Sequence, residues 1–484
     1  MKEIKNYHPN IFPIKMPTEN YIYDASRNEF ISVEDELFKY ILCLFDKKGE
    51  IQYFNPNVKE QYDSLIKQGY LQNKQINKIH HPYTECLELL LQRNMSQILL
   101  QVTQSCNFQC TYCVYTASID GMQRKHSNKH MRWDTAKKAV DYLWQHSVDS
   151  DTVTIGFYGG EPLLEFDLIK NVILYANHMF EGKNIHYAMT TNGSLLTLDK
   201  VDFLYKNNVH LVLSIDGPKE IQNKNRRYGH DGKGSYEIVL NNVKQIRKFY
   251  PQYVNQLEIN TVINPLDDLD LVYSAFQRTG DFCGIQTMAT LINDSSLKEK
   301  NIKTEKYLIQ FEYHTFILLL TELGLIKSNK RYPLSEIIIK SAKKNIDTKY
   351  IPSKTTPEQA APGGMCLPGV HKLFVTADEK LFVCERTNEP SEAGYLGTLS
   401  NGIDIVRARK MLNIAQLTDV QCKKCWAFRY CRNCVAQCDN GSNASRELRL
   451  KRCIQTRSSV AYVFRVMILL LNRKKLTDHR KDFV

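Results

Sequence analysis

The sequence predicts an α/β protein built on a partial (β/α)6 barrel of the TIM type, and three observations carry that expectation. From about Ser96 to Ala289, short apolar β-rich runs alternate with longer stretches of helical periodicity, the pattern of parallel strands joined by crossover helices. The 484 residues allow about three domains at roughly 150 residues each, so a barrel can stand beside smaller units. Fourteen cysteines are mostly concentrated in two places, one directly after the first proposed barrel strand.

Six strands are expected, at 98–102, 153–157, 185–189, 211–215, 258–263 and near 285–288, with helices between them at 133–145, 163–180, 199–206 and 236–249. Right-handed crossovers curl such units into a barrel or part of one, with the chemistry at the carboxyl ends of the strands. Residues 1–95 precede the barrel. Within them, 20–75 read as a small unit: a strand at 21–24, a helix at 33–45 and a second helix at 58–69, closing in Gly69-Tyr70-Leu71. The barrel occupies 96–292. Residues 293–365 are a Lys-rich helical insertion that ends in a Pro/Gly/Thr linker from 352 to 364. A third domain, 366–484, begins at Cys366 and contains a helix at 446–471 followed by a basic tail.

Composition is that of an ordinary soluble enzyme, with 43% hydrophobic, 10% aromatic and 24% charged residues, which excludes a collagen, a disordered tail and a membrane bundle. The longest uninterrupted apolar run, 466–471, is far short of the roughly 18 to 20 residues that span a bilayer, and the amino terminus has no apolar signal segment. The expectation is a cytoplasmic protein with no membrane partner. A net charge of +12 attracts anions without specificity, and no nucleic-acid recognition motif accompanies it. In a reducing compartment clustered cysteines read as metal or redox ligands, whereas the scattered Cys43, Cys86 and Cys283 read as small apolar residues.

Cys106-Asn-Phe-Gln-Cys110-Thr-Tyr-Cys113 places three thiols on the loop after the first strand. Three thiolates on a four-iron cluster leave one iron open to substrate; a zinc site completed by a distant His is the alternative. Gly159-Gly160-Glu161-Pro162 follows the second strand, Thr191-Asn192-Gly193 the third and Ser214-Ile215-Asp216-Gly217 the fourth. Together with the cysteine spacing, these segments resemble the radical S-adenosylmethionine (SAM) superfamily over about 96–290. The resemblance implies that Gly159, Gly160 and Glu161 contact the methionyl amine of SAM. Ser214 and Asp216 then contact the ribose or hold the adjoining loop, and Tyr112 packs on the adenine or beside the cluster. Arg226 pairs with the SAM carboxylate by its bidentate fork, a role Arg227 can also fill unless both belong to a solvated loop. Asn260 is either a further contact or a structural amide.

The later cysteines are Cys366, Cys384, Cys422, Cys425, Cys431, Cys434, Cys438 and Cys453. Paired C-x2-C spacings allow two structural zincs. Beside a SAM-cleaving cluster the pattern resembles the SPASM extension of peptide-modifying radical SAM enzymes, and 373–375, 384–386 and 422–427 resemble thioether-forming maturases. That resemblance implies two auxiliary [4Fe-4S] clusters, three in all. One is held by Cys422, Cys425, Cys431 and Cys453, the other by Cys366, Cys384 and one or both of Cys434 and Cys438. The usual spacing has three residues where two separate Cys431 from Cys434, which leaves the choice between Cys434 and Cys438 open. Glu385 is a candidate catalytic base, or else the partner of Arg386.

Residues 20–75 are similar to the winged-helix-like element by which such maturases hold a leader peptide, with an ordinary helical cap as the alternative. The resemblance as a whole implies a cytoplasmic maturase of a ribosomally made, Cys-containing peptide. A 5′-deoxyadenosyl radical abstracts hydrogen, and a peptide thiolate closes a carbon–sulfur bond while an auxiliary cluster accepts the electron. Its partners are the leader-bearing precursor and a donor such as flavodoxin or ferredoxin. Sulfatase maturation, carbon–carbon crosslinking, epimerisation and a non-catalytic metal-binding scaffold are the alternatives.

Overall fold

The computed structural model describes residues 9–45, 55–113, 126–292, 303–352 and 354–473. Strands β1 (Ile11–Lys15), β2 (Asn20–Asp24) and β3 (Glu29–Val33) form an antiparallel sheet in that order. Helices α1 (Asp35–Phe45) and α2 (Pro56–Lys67) follow. Asn55 caps α2 by accepting from Asn57 N, with Pro56 in the first turn, where a missing N–H costs nothing. The strand expected at 21–24 is the middle of this sheet. Its two neighbours carry no strong alternation of their own, and β1 includes Pro13.

After β4 (Lys78–Ile79) and α3 (Leu87–Arg93) comes the barrel: β5 (Gln97–Thr103), α4 (Trp133–His146), β6 (Thr152–Gly159), α5 (Phe166–Met179), β7 (Asn184–Thr191), α6 (Leu198–Lys206), β8 (Val209–Ser214), α7 (Lys219–Asn225), α8 (Tyr236–Phe249), β9 (Leu257–Ile263), α9 (Leu269–Ser274) and β10 (Gln286–Leu291). The six strands are parallel, each beside its predecessor, as the alternating pattern predicts. In β8 and β9 every second residue is buried against the helices, while His210, Val212, Ser214, Glu258, Asn260 and Val262 lie half-buried on the other face. His210 and Glu258 meet there at 3.2 Å.

The chain continues through α10 (Glu305–Glu322) and α11 (Pro333–Thr348), then β11 (Gln359–Ala360), which pairs with β4. Next come β12 (Leu373–Val375), β13 (Lys380–Phe382), β14 (Tyr395–Thr398), β15 (Gly402–Ile403), α12 (Ile405–Leu412), α13 (Asp419–Lys423) and α14 (Arg446–Leu471). β12 adds in parallel to the free edge of β5, with Phe374 opposite Leu99, and β13 to β15 extend the sheet antiparallel to ten strands. The cysteine-rich region is thus bonded to the strand that leads into Cys106.

α14 is, among the described residues, long and apolar enough by length and composition to cross a membrane, although its longest apolar run is short. Part of it is committed elsewhere. Val460, Phe464, Met467 and Ile468 pack in one core with Tyr21 and Tyr23 of the N-terminal sheet and Ile339 and Ala342 of α11.

Candidate functional site

Cys106, Cys110 and Cys113 sit on the loop beyond β5, and that loop is fastened from two sides. The 225–229 segment lies along it: Gln109 N donates to Arg227 O at 2.8 Å, Thr111 N to Asn225 O at 3.0 Å and Gly229 N to Asn107 O at 2.9 Å. From the other side, Asn192 Nδ2 donates to Asn107 Oδ1 at 2.8 Å and Asn107 Nδ2 to Ser194 Oγ at 2.9 Å. Burial pushes the thiols of Cys106 and Cys110 up to about 12, so a metal that binds them as thiolates must displace protons. His126, which the sequence reading did not single out, lies beside this loop, with Nε2 3.9 Å from Cys113 Sγ and Nδ1 3.2 Å from the Gln104 carbonyl.

The glycines of the second-strand loop make a close approach, and it is to the cysteine strand. Gly159 has φ +142°, and a Cβ there would stand 2.0 Å from Thr103 O; one on Gly160 would stand 2.1 Å from Ser105 O. Only glycine lets this loop lie against the backbone of 103–105. Glu161 is fully buried. Its Oε1 accepts from Leu163 N at 3.0 Å and Thr191 Oγ1 at 2.7 Å, and its Oε2 from Asn192 N at 2.7 Å. Burial raises its pKa despite these three donors. The carboxylate therefore ties the end of β6 to the end of β7.

Asp216, fully buried, is the centre of a second constellation. Its Oδ2 accepts from the Tyr112 hydroxyl, and its Oδ1 accepts from Val262 N at 3.2 Å and faces Arg226 Nε at 3.1 Å. The last contact is an ion pair without hydrogen-bond alignment, since Arg226 Nε has no hydrogen-bond partner. The Arg226 guanidinium lies 5.4 Å from the Tyr112 ring centroid. Burial alone would lower its pKa, but Asp216, Tyr112 and Cys110 outweigh that and raise it. Among the described residues, Asn225 Nδ2 is also buried without a partner. Thiols, a buried cation and an unpaired amide thus surround one loop, a set suited to an anionic group and a ligand rich in acceptors. Ser214 lies opposite Asn260 in register, and Arg227 Nε donates to Asn223 O at 2.7 Å.

In the C-terminal region the thiols fall into two neighbourhoods. Cys425 and Cys431 each lie beside Cys422, and Cys431 also beside Cys453. Cys366 and Cys384 both lie beside Cys434. Cys438 is fully buried next to Cys434, its thiol 3.5 Å from Cys434 O and 3.4 Å from Val435 O. Between the two sets runs Arg449, fully buried, donating to Thr418 Oγ1 at 3.0 Å and to the Asn433 carbonyl. Nothing in the sequence marks it, because it is one arginine of several in α14. Among the described residues no three His, Cys, Asp or Glu side chains converge on a single-ion site; a zinc tetrahedron sets its sulfurs about 4 Å apart.

Glu385 faces Lys372, whose Nζ donates to both carboxylate oxygens at 3.3 and 3.2 Å. A second carboxylate, unnoticed in the sequence, reaches the barrel mouth: Glu389 accepts from Gln101 Nε2 at 2.5 Å and Gln104 Nε2 at 2.9 Å.

Residues 100–268 match the model of the radical SAM superfamily. An uncharacterized protein of Methanocaldococcus jannaschii is 30% identical over 257 residues, 53% of this chain and 78% of its own. The chain belongs to the radical SAM superfamily. Similar radical SAM proteins include the cyclopropyl synthase TigE of Paramaledivibacter caminithermalis, 27% identical over 49% of this chain and 46% of TigE. The cysteine-type anaerobic sulfatase-maturating enzyme of Clostridium novyi is 24% identical over 70% of this chain and 87% of that one. The solved structure of native anSMEcpe with bound AdoMet has the same fold, with TM-score 0.56 and 21% identity over 78% of this chain and all of that one. Another anSMEcpe structure, 20% identical, carries the Cp18Cys peptide. The matched span includes the cysteine loop described above, and membership of the family implies SAM and a four-iron cluster.

Proposed function

We propose that this radical SAM protein is a SPASM-type maturase of a ribosomally made, Cys-containing peptide, and that the bond it forms is a thioether. The observation that carries the reading is the division of the C-terminal cysteines into two neighbourhoods, on a region bonded edge to edge with the barrel. A sulfatase-maturating relative and the anSMEcpe structure with its Cp18Cys peptide support the substrate class.

SAM and a four-iron cluster, when bound at the barrel mouth, would supply a 5′-deoxyadenosyl radical able to take hydrogen from an unactivated carbon. Cys106, Cys110 and Cys113 would hold the cluster, and the backbone of Gly159 and Gly160 would meet the methionyl amine, while Glu161 fixes that loop from behind. Asp216 holds Arg226 and Tyr112, of which the first would pair with the SAM carboxylate and the second would pack on the adenine, and Ser214 would contact the ribose. Cys422, Cys425, Cys431 and Cys453 form one auxiliary ligand set, and Cys366, Cys384 and Cys434 the other, with Cys438 behind Cys434. Lys372 orients Glu385, which lies beside Cys384 as a proton acceptor. The N-terminal unit holds the leader, a flavodoxin or ferredoxin supplies electrons, and the setting is cytoplasmic.

Sulfatase maturation is the second reading, favoured by the relatives of that activity. Mass spectrometry of a small Cys-rich peptide encoded beside this gene, incubated with the protein, SAM and reductant without oxygen, separates them. Each thioether removes two hydrogens, one from carbon and one from the thiol. A reactive aldehyde in place of the cysteine overturns the thioether reading.

A further inference from the structure

A cavity of about 220 Å³ opens where the N-terminal sheet, the segment after α11 and the turn after α13 meet. Its charged side chains are all cationic: Lys74, Lys349, Lys354, Lys423 and Arg429, with no carboxylate in its wall. Among the described residues, only Lys423 of these has an ion-pair partner, Asp419 at 2.6 Å. Arg429 donates to the Lys354 carbonyl at 3.0 Å, a contact that holds two of the cations together without neutralising either. Lys349 is half-buried against the Tyr430 ring, its ammonium 6.0 Å from the centroid. Burial, with Arg432 and Lys344 nearby, pushes its pKa down to about 8. The rest of the wall is mostly uncharged, with Ile76, Phe428 and Trp426 as its large apolar side chains and Asn10 and Thr356 among its polar ones, and Trp426 stacks on Phe12 at 3.9 Å.

Lys349 carries a burial cost that an incoming anion relieves, the exposed Lys74 and Lys354 add long-range attraction for the same sign, and carboxylates on a chain with apolar side chains fit both the charge and the apolar part of the wall. Wall residues Asn10 and Ala25 belong to the N-terminal unit and Cys425 to a thiol set, so an occupant here touches both. We propose that this cavity docks an acidic segment of the peptide substrate. The inference rests on the peptide-maturase reading and adds to it where, and by what chemistry, the precursor is held. Docking here also places the precursor on the seam between the N-terminal unit and the cysteine-rich region.

The test uses the full-length protein with its clusters and a fluorescein-labelled twelve-residue peptide of Glu and Asp with two Leu. Fluorescence anisotropy reads binding, and Trp426 emission reports occupancy. The acidic peptide is expected to bind and to weaken with salt, whereas its Lys counterpart does not bind. Reversing Lys74→Glu, Lys354→Glu and Arg429→Glu together is expected to weaken binding at least tenfold. The same charge change at the exposed Lys244, Lys248 and Lys327 is expected to alter it less than twofold. If the triple variant does not fold, K74E/K354E carries the test with a smaller loss. Equal binding by wild type and pocket variants, no binding at all, or displacement of a reduced flavodoxin rather than the peptide overturns the proposal. SAM cleavage with dithionite, measured on the same variants, stays unchanged; its loss in wild type would instead strike the underlying radical SAM reading.

Discussion

The thiols at the barrel mouth and those of the C-terminal region are held in opposite ways. The barrel loop is fastened by neutral amides and backbone groups from adjacent strand ends, with its one buried cation, Arg226, answered by Asp216. The C-terminal thiols instead surround a buried cation, Arg449, that has no carboxylate partner among the described residues and donates to Thr418 and a backbone carbonyl. In the scheme we propose, the site that would keep one coordination position open is braced from outside its ligand set, whereas the region that gathers many thiols has a cation among them, for which thiolate ligands would be the natural counter-ions.

The largest expected effect separates the two regions outright. Replacing Cys106, Cys110 and Cys113 together by Ala should abolish 5′-deoxyadenosine formation under dithionite while iron assays still find the C-terminal metal. Persistent SAM cleavage by that variant would end the assignment of the barrel site.

Arg449→Met tests the buried cation from the other side. It strands the Asn433 carbonyl and removes the charge beside Cys431, Cys438 and Cys453, so unfolding should become easier by about 2 to 4 kcal/mol. Iron should be lost from the C-terminal region while uncoupled SAM cleavage stays within about threefold. Denaturant unfolding and iron assay measure the two halves, and equal loss of both activities would break the contrast.

At the barrel mouth, Asp216→Asn keeps the shape but leaves Arg226 without its counter-ion. The KM for SAM is expected to rise about tenfold to a hundredfold, about 1.4 to 3 kcal/mol. Isothermal titration with SAM gives an independent reading.

These partnerships also show what could be read in advance. All six barrel strands were legible because short apolar runs alternate with helical stretches, although strict two-residue burial is seen in β8 and β9 and not in β5, and the motif residues were legible because they follow those strands. β12 was not, being three residues long and paired with a strand some 275 positions earlier. Glu389 and Arg449 lack any local signal, since their roles depend on Gln101, Gln104 and Asn433 folding toward them. The glycines of 159–160 were read as letting the backbone approach a ligand, and the structure gives them a second reason, since a Cβ at either would strike the backbone of 103–105. The N-terminal unit looked separable in sequence, yet Tyr21 and Tyr23 share a core with Tyr430 and Phe464, so deleting it would expose apolar surface as well as remove a docking element.

The smallest effect concerns Lys349, whose pKa is lowered to about 8 by burial. Below pH 8 the folded protein carries its charge at a cost that the unfolded chain does not bear, and the cost fades as pH rises from 8 toward the ordinary lysine value. Lys349→Met should therefore stabilise the protein at pH 6 to 7 by about 1 kcal/mol, after allowing for solvent at the cavity mouth. The gain should shrink above pH 8, as unfolding midpoints across pH will show.

The most direct measurement is the metal content of the protein purified without oxygen. Three four-iron sites require about twelve iron atoms per chain, falling to about eight when Cys422 and Cys425 are replaced by Ala, with SAM cleavage retained. About four iron atoms with stoichiometric zinc would contradict the assignment of the C-terminal thiols to iron–sulfur clusters.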